Sequence, residues 1–541
     1  MALDRRRFLS SGLLWNAALA STAMARSVES GGAGKAHSGA PPFELDEISV
    51  TTLQSGFESG RLSSRAVTAA YLRRMKAIDS AGPTLRCVLE INPDALSIAR
   101  ELDRERAKTG PRGPLHGVPV LLKDNIDTAD RMQTTAGSLA LFGAPAPRDA
   151  HIVTRLRAAG AVILGKANLS EWANIRSTRS TSGWSARGGR TRNPYALDRN
   201  TSGSSSGSAA AVTANLCAVA IGTETDGSIV SPSSLNGIVG IKPTVGLVSR
   251  AGIIPIAHTQ DTAGPMARSV RDAAIVLAAL VGADADDVAT TAGEGRGHTD
   301  YTRFLDAEGL RGARIGVARN HFGFHDGVDT VINASLETLR KAGATLVDPV
   351  DLPNMDKLNE PELTVLLYEL KTDLDAYLQR RGSTVRSLQD VIVFNERFRA
   401  REMPYFGQEL FIKAQAKGTL ASAEYVEALA TCRRLSRVEG IDALMDRERL
   451  DAIVAPTDAP AWLADYVLGD HQLASSSSAA AVAGYPSITV PAGFVSGLPV
   501  GISFFGRAWS EPTLLRIAYA FEQASAARRP PAFAATVGAS G

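Results

Sequence analysis

Short apolar runs alternate with helix-patterned segments from one end of this chain to the other. Such a pattern buries both kinds of segment when helices pack on a sheet. The runs include Val118–Leu122, Ala161–Leu164, Leu216–Ile221 and Val500–Phe505, with others around Ile315, Thr345–Val347, Ile453–Ala455 and Ile488–Val490. Ile238–Ile241 and Ile253–Ile256 read as short strands or buried turns. Helices are predicted over Val50–Ala77, Pro93–Lys108, Val153–Ala159, Gly207–Asn215 and Thr513–Ala524. Val328, Val331, Ile332, Leu336 and Leu339 mark an amphipathic helix. Ser269 and Asp272 have the spacing of a capping box, and Gly282 ends that helix. Leu363–Glu448 reads as an inserted helical subdomain, about 360–450. The expectation is one large α/β unit over residues 43–525, with a loose tail from Ala526.

The balance of charges narrows the function. A formal net charge of +2 over 541 residues gives no basic footprint for nucleic acid. Cys87, Cys217 and Cys432 are too few and too scattered for a disulfide framework or a zinc pattern. Arg5-Arg6-Arg7-Phe8-Leu9, the apolar stretch Leu13–Ala20 and Ala23-Met24-Ala25 read as a twin-arginine signal peptide over 1–25. Residues 26–42 read as a disordered leader, rich in Gly, Ser, Ala and Pro. The expected location is outside the cytoplasm, in the periplasm, with no membrane association after signal removal.

Chemistry concentrates between Thr201 and Pro232. Two hydroxyl-rich turns, Ser202–Ser208 and Thr223–Ser228, flank the apolar run Leu216–Ile221. The helix predicted from Gly207 aims free N–H groups toward Ser204 and Ser205. Gly227 permits an unusual backbone angle before Ser228, and the N–H groups of Thr225, Asp226, Gly227 and Ser228 can line an anion-binding concavity. Lys123 leaves the apolar run Val118–Leu122: either its ammonium reaches water or a partner, or it is buried with a lowered pKa. His116 reads as a packed histidine without a catalytic role. Gly160–Ala167 has phosphate-loop spacing, but Ala167 stands where the loop needs Ser or Thr, and apolar residues fill the cradle; a nucleotide site is rejected. Trp172–Asn200 reads as a polar loop containing Arg176, Arg179, Arg187, Arg190 and Arg192, part solvated and part lining a cleft.

Several of these stretches together resemble the amidase signature family. They are Gly113–Pro119 with Lys123-Asp124, Gly165–Glu171, Thr191–Tyr195, the serine stretch, Gly240–Thr244, Gly484–Pro491 and Leu498–Ile502. The resemblance runs from about Leu45 to Gln523 and implies an α/β/α unit with a central mixed sheet. It implies a Lys–cis-Ser–Ser triad of Lys123, Ser204 and Ser228. Ser205 is the competitor of Ser204, because the serine run allows a one-residue slip. It also implies an oxyanion site from the N–H groups of Thr225, Asp226, Gly227 and Ser228, and an amide hydrolase needing no metal or organic cofactor. No obligatory protein partner is expected. The family's Gly-Gly-Ser-Ile-Arg reads Asp226-Gly227-Ser228-Ile229-Val230 here, which resembles the members that deamidate the C-terminal carboxamide of peptides. The alternatives are amidases for aryl, fatty-acid or short aliphatic amides. A glutamine-hydrolysing amidotransferase subunit fits less well with a signal segment.

Overall fold

Buried strands need cover on both faces, and here they have it. The computed structural model describes residues 41–538. The expected signal peptide, and all but the last two residues of the expected leader, lie outside them. The strands are β1 (Val88–Ile91), β2 (Pro119–Lys123), β3 (Val162–Ala167), β4 (Trp184–Ser185), β5 (Gly189–Arg190), β6 (Val219–Glu224), β7 (Val239–Lys242), β8 (Thr262–Ala267), β9 (Arg314–Ala318), β10 (Thr345–Val350), β11 (Ala452–Pro456), β12 (Ser487–Val495) and β13 (Leu498–Phe505). All but the β4–β5 ribbon join one eleven-stranded sheet in the order β1-β3-β2-β6-β8-β7-β12-β13-β11-β9-β10. β3, β2 and β6 run parallel, as do β11, β9 and β10, and the remaining pairings are antiparallel. The sheet is therefore mixed, inside one α/β unit, as expected.

The layering shows in the alternation along β11. Ala452 and Val454 join one apolar cluster, while Ile453 and Ala455 join another on the opposite face. The first cluster includes residues of the helices Ser206–Thr213, Val270–Leu280, Asp326–Lys341 and Glu511–Ser525. The second includes residues of Asp442–Glu448 and Ser478–Ala483. Ser269 caps Val270–Leu280, accepting from the Asp272 N–H (3.1 Å).

Three expectations are corrected. The helix foreseen over Val50–Ala77 is two, Val50–Glu58 and Ser64–Arg74, parted at Gly60 (φ +69°) and restarted by the Ser63 cap. The strand foreseen at Leu216–Ile221 runs from Val219 to Glu224, so Thr223 and Glu224 pair with Ala263 and Thr262 and the turn starts only at Thr225. Of the two readings left open for Ile253–Ile256, the structure has the buried, non-strand one: the three isoleucines are buried and line a cavity, with a single bridge between Ile253 and Ile126. The tail is pinned through Ala534. Arg528 pairs with Glu47 (2.8 Å), the Arg529 carbonyl accepts from the Tyr195 hydroxyl (2.5 Å), Phe533 is buried, and the Ala534 carbonyl accepts from the Leu197 N–H (2.9 Å).

The inserted helices run from Asn359–Arg381 to Asp442–Glu448. Leu370, Leu374 and Tyr377 pack with Leu169, Trp172 and Ile254, which seats the insertion over the loops beyond β2 and β3. Polar contacts fix that seat. Glu402 accepts from the Leu139 N–H (2.7 Å), and Glu409 from the Thr178 N–H (2.6 Å). The fully buried Arg176 stacks over Phe406 at 4.3 Å and meets Glu171 at 3.1 Å. The Trp172–Asn200 loop is thus largely interior. Among the described residues, no helix is long and apolar enough to cross a membrane.

Candidate active site

The site lies where β2 and β6 end side by side. These parallel neighbours pair Leu122 with Ile221, so Lys123, one residue on, comes close to Thr223, two residues on. Lys123 is fully buried. Its Nζ lies 2.7 Å from Ser204 Oγ and donates to the Thr223 carbonyl (3.0 Å) and the Thr223 hydroxyl (2.9 Å). Burial pulls the Lys123 pKa down to about 7, against the opposing charges of Glu224 and Asp261. Of the two readings left open for this lysine, the structure has the buried one.

The serine segment is shaped by close approach. The Gly203–Ser204 peptide is cis, and Ser202 is left-handed (φ +56°). A Cβ on residue 203 would stand 2.1 Å from Ser170 Oγ, so only glycine fits. The Ser170 N–H donates to the Ser204 carbonyl (3.0 Å). Ser205 caps no helix with its side chain. Its Oγ donates to the Thr223 carbonyl (3.1 Å) and accepts from the Thr223 N–H (3.2 Å). The lysine therefore touches Ser204, while Ser205 is engaged with the backbone of β6.

Ser228 sits beside this segment, because the Ser205 N–H donates to the Ser228 carbonyl (3.1 Å). Gly227 has φ +75°. The buried Glu224 accepts from the Ile229 (2.7 Å) and Val230 (3.0 Å) N–H groups, which folds the turn back on the strand. Among the described residues, none of the N–H groups of Thr225, Asp226, Gly227 and Ser228 donates a hydrogen bond within the chain. Four donors are thus left for something outside it.

Two neighbours escaped the sequence reading. Thr223 supplies two of the three polar contacts of Lys123, and Asn125 Nδ2 donates to the Thr223 hydroxyl (2.9 Å). Their only signal was placement at the ends of two apolar runs. Arg187, one of the loop arginines, pairs with Glu90 and with the buried Asp124 (3.2 Å), steadying the chain next to Lys123. Lys166 of the phosphate-loop-like stretch is buried within β3 and donates to Ile126 and Thr134, so it is structural. His116 is buried against the Leu102 carbonyl (2.9 Å).

A cavity of ≈ 290 Å³ opens onto Ser204, Thr223 and Thr225. Ile253, Ile254 and Ile256 form one wall, and the other is the face of Asn359–Arg381 that carries Asp373, Ala376, Tyr377 and Arg380. Their spacing of three, one and three residues keeps all four on one side of the helix. Asp261 accepts from the Thr225 hydroxyl (2.6 Å) and is pushed up to about 6 by burial, against its hydrogen bonds. Burial lowers the His258 pKa, but Asp373 (2.9 Å) and Glu369 outweigh it and raise the pKa overall. His258, Glu369 and Asp373 could converge on a cation, yet each already bonds within the protein.

A buried lysine on a serine, a second serine beside it and a turn of free N–H groups describe a hydrolase of the acyl-transfer class. The Amidase family model matches residues 66–515, and the chain belongs to that family. A probable amidase of Arabidopsis thaliana is 46% identical over 503 residues, covering 91% of this chain and 93% of the plant protein. The crystal structure of native peptide amidase from Stenotrophomonas maltophilia superposes with TM-score 0.87 at 54% identity, covering 91% of this chain and 99% of that one. A peptide amidase bound to the competitive inhibitor chymostatin gives TM-score 0.89 at 55% identity, covering 90% of this chain and all of that one. The chain is an amidase-type hydrolase with the amidase signature fold.

Proposed function

We propose that this enzyme removes the C-terminal carboxamide of peptides by a Lys123–Ser204–Ser228 relay. The observation that carries it is the 2.7 Å contact between a fully buried lysine amine and Ser204 Oγ. A lysine with its pKa near 7 is partly neutral at physiological pH and can act as a base. Its two remaining N–H bonds stay on the Thr223 carbonyl and hydroxyl, which leaves the lone pair facing Ser204. Lys123 takes the proton of Ser204, and Ser204 takes that of Ser228. Ser228 Oγ attacks the amide carbon, and the displaced electron pair settles on the carbonyl oxygen. The N–H groups of Thr225, Asp226, Gly227 and Ser228 receive that oxyanion; losing one such donor typically costs ~3 kcal/mol. When the C–N bond breaks, Ser204 returns its proton to the leaving ammonia. Water, activated by the same relay, then releases the carboxylate from Ser228.

The peptide substrate is supported by the high identity to peptide amidases and by the chymostatin-bound neighbour. The cavity is at the lower end of the ~300–1,000 Å³ usual for ligand sites, room for the terminal part of a peptide. Export to the periplasm, proposed from residues 1–25, would place it among extracytoplasmic peptides. Ammonia release should be measured from a peptide amide, benzamide, a fatty amide and glutamine. Turnover of the small amides without the peptide amide would reject the peptide reading. Ser228→Ala should form no acyl-enzyme by mass spectrometry; acylation persisting there and lost only in Ser205→Ala would move the relay by one residue.

A further inference from the structure

The isoleucine wall of the cavity and the Thr225–Ser228 turn are joined by one carboxylate that the relay does not use. β6 and β8 pair Glu224 with Thr262, so Thr225, one residue on, meets Asp261, one residue back. Asp261 Oδ1 accepts from the Thr225 hydroxyl (2.6 Å), and its Oδ2 accepts from the N–H groups of Ile256 (2.8 Å) and Ala257 (3.0 Å). Among the described residues, every hydrogen bond of this side chain goes to the turn or to the wall. The Ala257 carbonyl accepts in return from the N–H groups of Gln260 (3.1 Å) and Asp261 (2.8 Å), which fixes the direction of the carboxylate.

At its other end the wall is fastened to the chain just beyond Lys123. The Ile254 N–H donates to the Asn125 carbonyl (2.8 Å), and Ile253 bridges to Ile126. Ile253–Ala257 therefore hangs between the segment that follows the lysine and the turn that follows β6. The second fastening is a charge-assisted one, roughly twice as strong as a hydrogen bond between neutral groups. It grips Thr225 by the side chain, and the backbone of the same residue carries the first N–H of the turn.

We propose that Asp261 is a positioning residue that locks the Thr225–Ser228 turn to the isoleucine wall. A substrate resting on the wall then presents its carbonyl oxygen to the N–H groups at a fixed offset. Those groups meet an oxyanion that forms only in the transition state, so a turn out of register lowers kcat more than it raises KM. The positioning role rests on the proposed reading of the turn as the oxyanion site; the link between turn and wall does not.

The test compares Asp261→Ala, Asp261→Asn and Thr225→Val on one peptide amide. Asp261→Ala and Thr225→Val should each lose about 10-fold in kcat with KM changed by less than about 3-fold. The double variant should lose little more than either, because both break one link. In Asp261→Asn the amide oxygen can still accept from Ile256 and Ala257 while the amide nitrogen donates to the Thr225 hydroxyl, so most of the kcat should return. Urea unfolding reads the link without turnover: the double variant should lose less stability than the two single variants added together. Asp261→Leu, close in shape, replaces Asp261→Ala if that variant fails to fold. Additive stability losses overturn the link. An unchanged kcat in a folded Asp261→Ala, a loss carried by KM, or an Asp261→Asn as slow as Asp261→Ala overturns the positioning role. A wild type inert toward every amide removes the functional reading and the positioning role with it, while the unfolding cycle still decides the link.

Discussion

Lys123 serves as a base only when its amine is neutral, and its surroundings set the pH at which that happens. Burial lowers its pKa to about 7. The active form therefore grows as pH rises, so kcat/KM should climb through an apparent pKa near 7 and level off above it. A profile flat between about pH 6 and 8 would exclude this lysine as the base. Lys123→Ala should lose roughly 10²–10⁴-fold in kcat while keeping the fold, by circular dichroism. The lysine was visible in the sequence because a charge closing an apolar run demands an explanation. Thr223 was not. A threonine after Gly222 reads as the start of a turn, and its carbonyl, one of the three polar contacts of Lys123, belongs to a backbone that every residue shares.

At the scale of elements, apolar patterning located the sheet better than it located strand ends. Leu216, Cys217 and Ala218 are as buried as any strand residue, yet they belong to the approach to β6. Burial alone cannot separate a packed approach from a hydrogen-bonded ladder. Polar Thr223 and Glu224 looked like turn residues, but strand pairing with β8 claims them. The Trp172–Asn200 loop was legible only in part. It reads as part solvated and part lining a cleft, and the interior place of Arg176 depends on an aromatic face, Phe406, supplied by the distant insertion, together with the nearby carboxylate of Glu171. The serine segment is constrained at one small residue. Gly203→Ala would drive a Cβ into Ser170 Oγ and shift Ser204 away from Lys123. A displacement on the order of 1 Å costs about 10²-fold in rate, so kcat should fall that far, and the overpacking should cost about 1–3 kcal/mol of stability besides. Activity near that of wild type would show that the segment can relax around the extra methyl.

Over the whole molecule, the sequence pattern revealed one α/β unit with a helical insertion, since alternation and composition are global properties. The anchoring of the tail was hidden. Ala526–Ala534 has one large apolar residue, Phe533, and its hold comes also from single contacts with Glu47, Tyr195 and Leu197, far away in sequence. Truncation after Ser525 should expose the site of Phe533 and free Glu47. A loss of at least ~1.5 kcal/mol is expected for the phenylalanine alone, read from urea unfolding. An unchanged midpoint would mean that the tail rests on the surface without supporting it.

The helix Asn359–Arg381 gives the molecule a division of labour. Lys123, Ser204 and Ser228 come from the ends of sheet strands and the segments beside them, whereas Asp373, Ala376, Tyr377 and Arg380 come from an insertion between β10 and β11. Under the proposed relay, the reacting side chains and one wall of the cavity thus come from separate stretches of chain. Substrate range can drift, in evolution or in the laboratory, by exchanging side chains along one helical face. Such changes leave Lys123, Ser204 and Ser228 themselves in place.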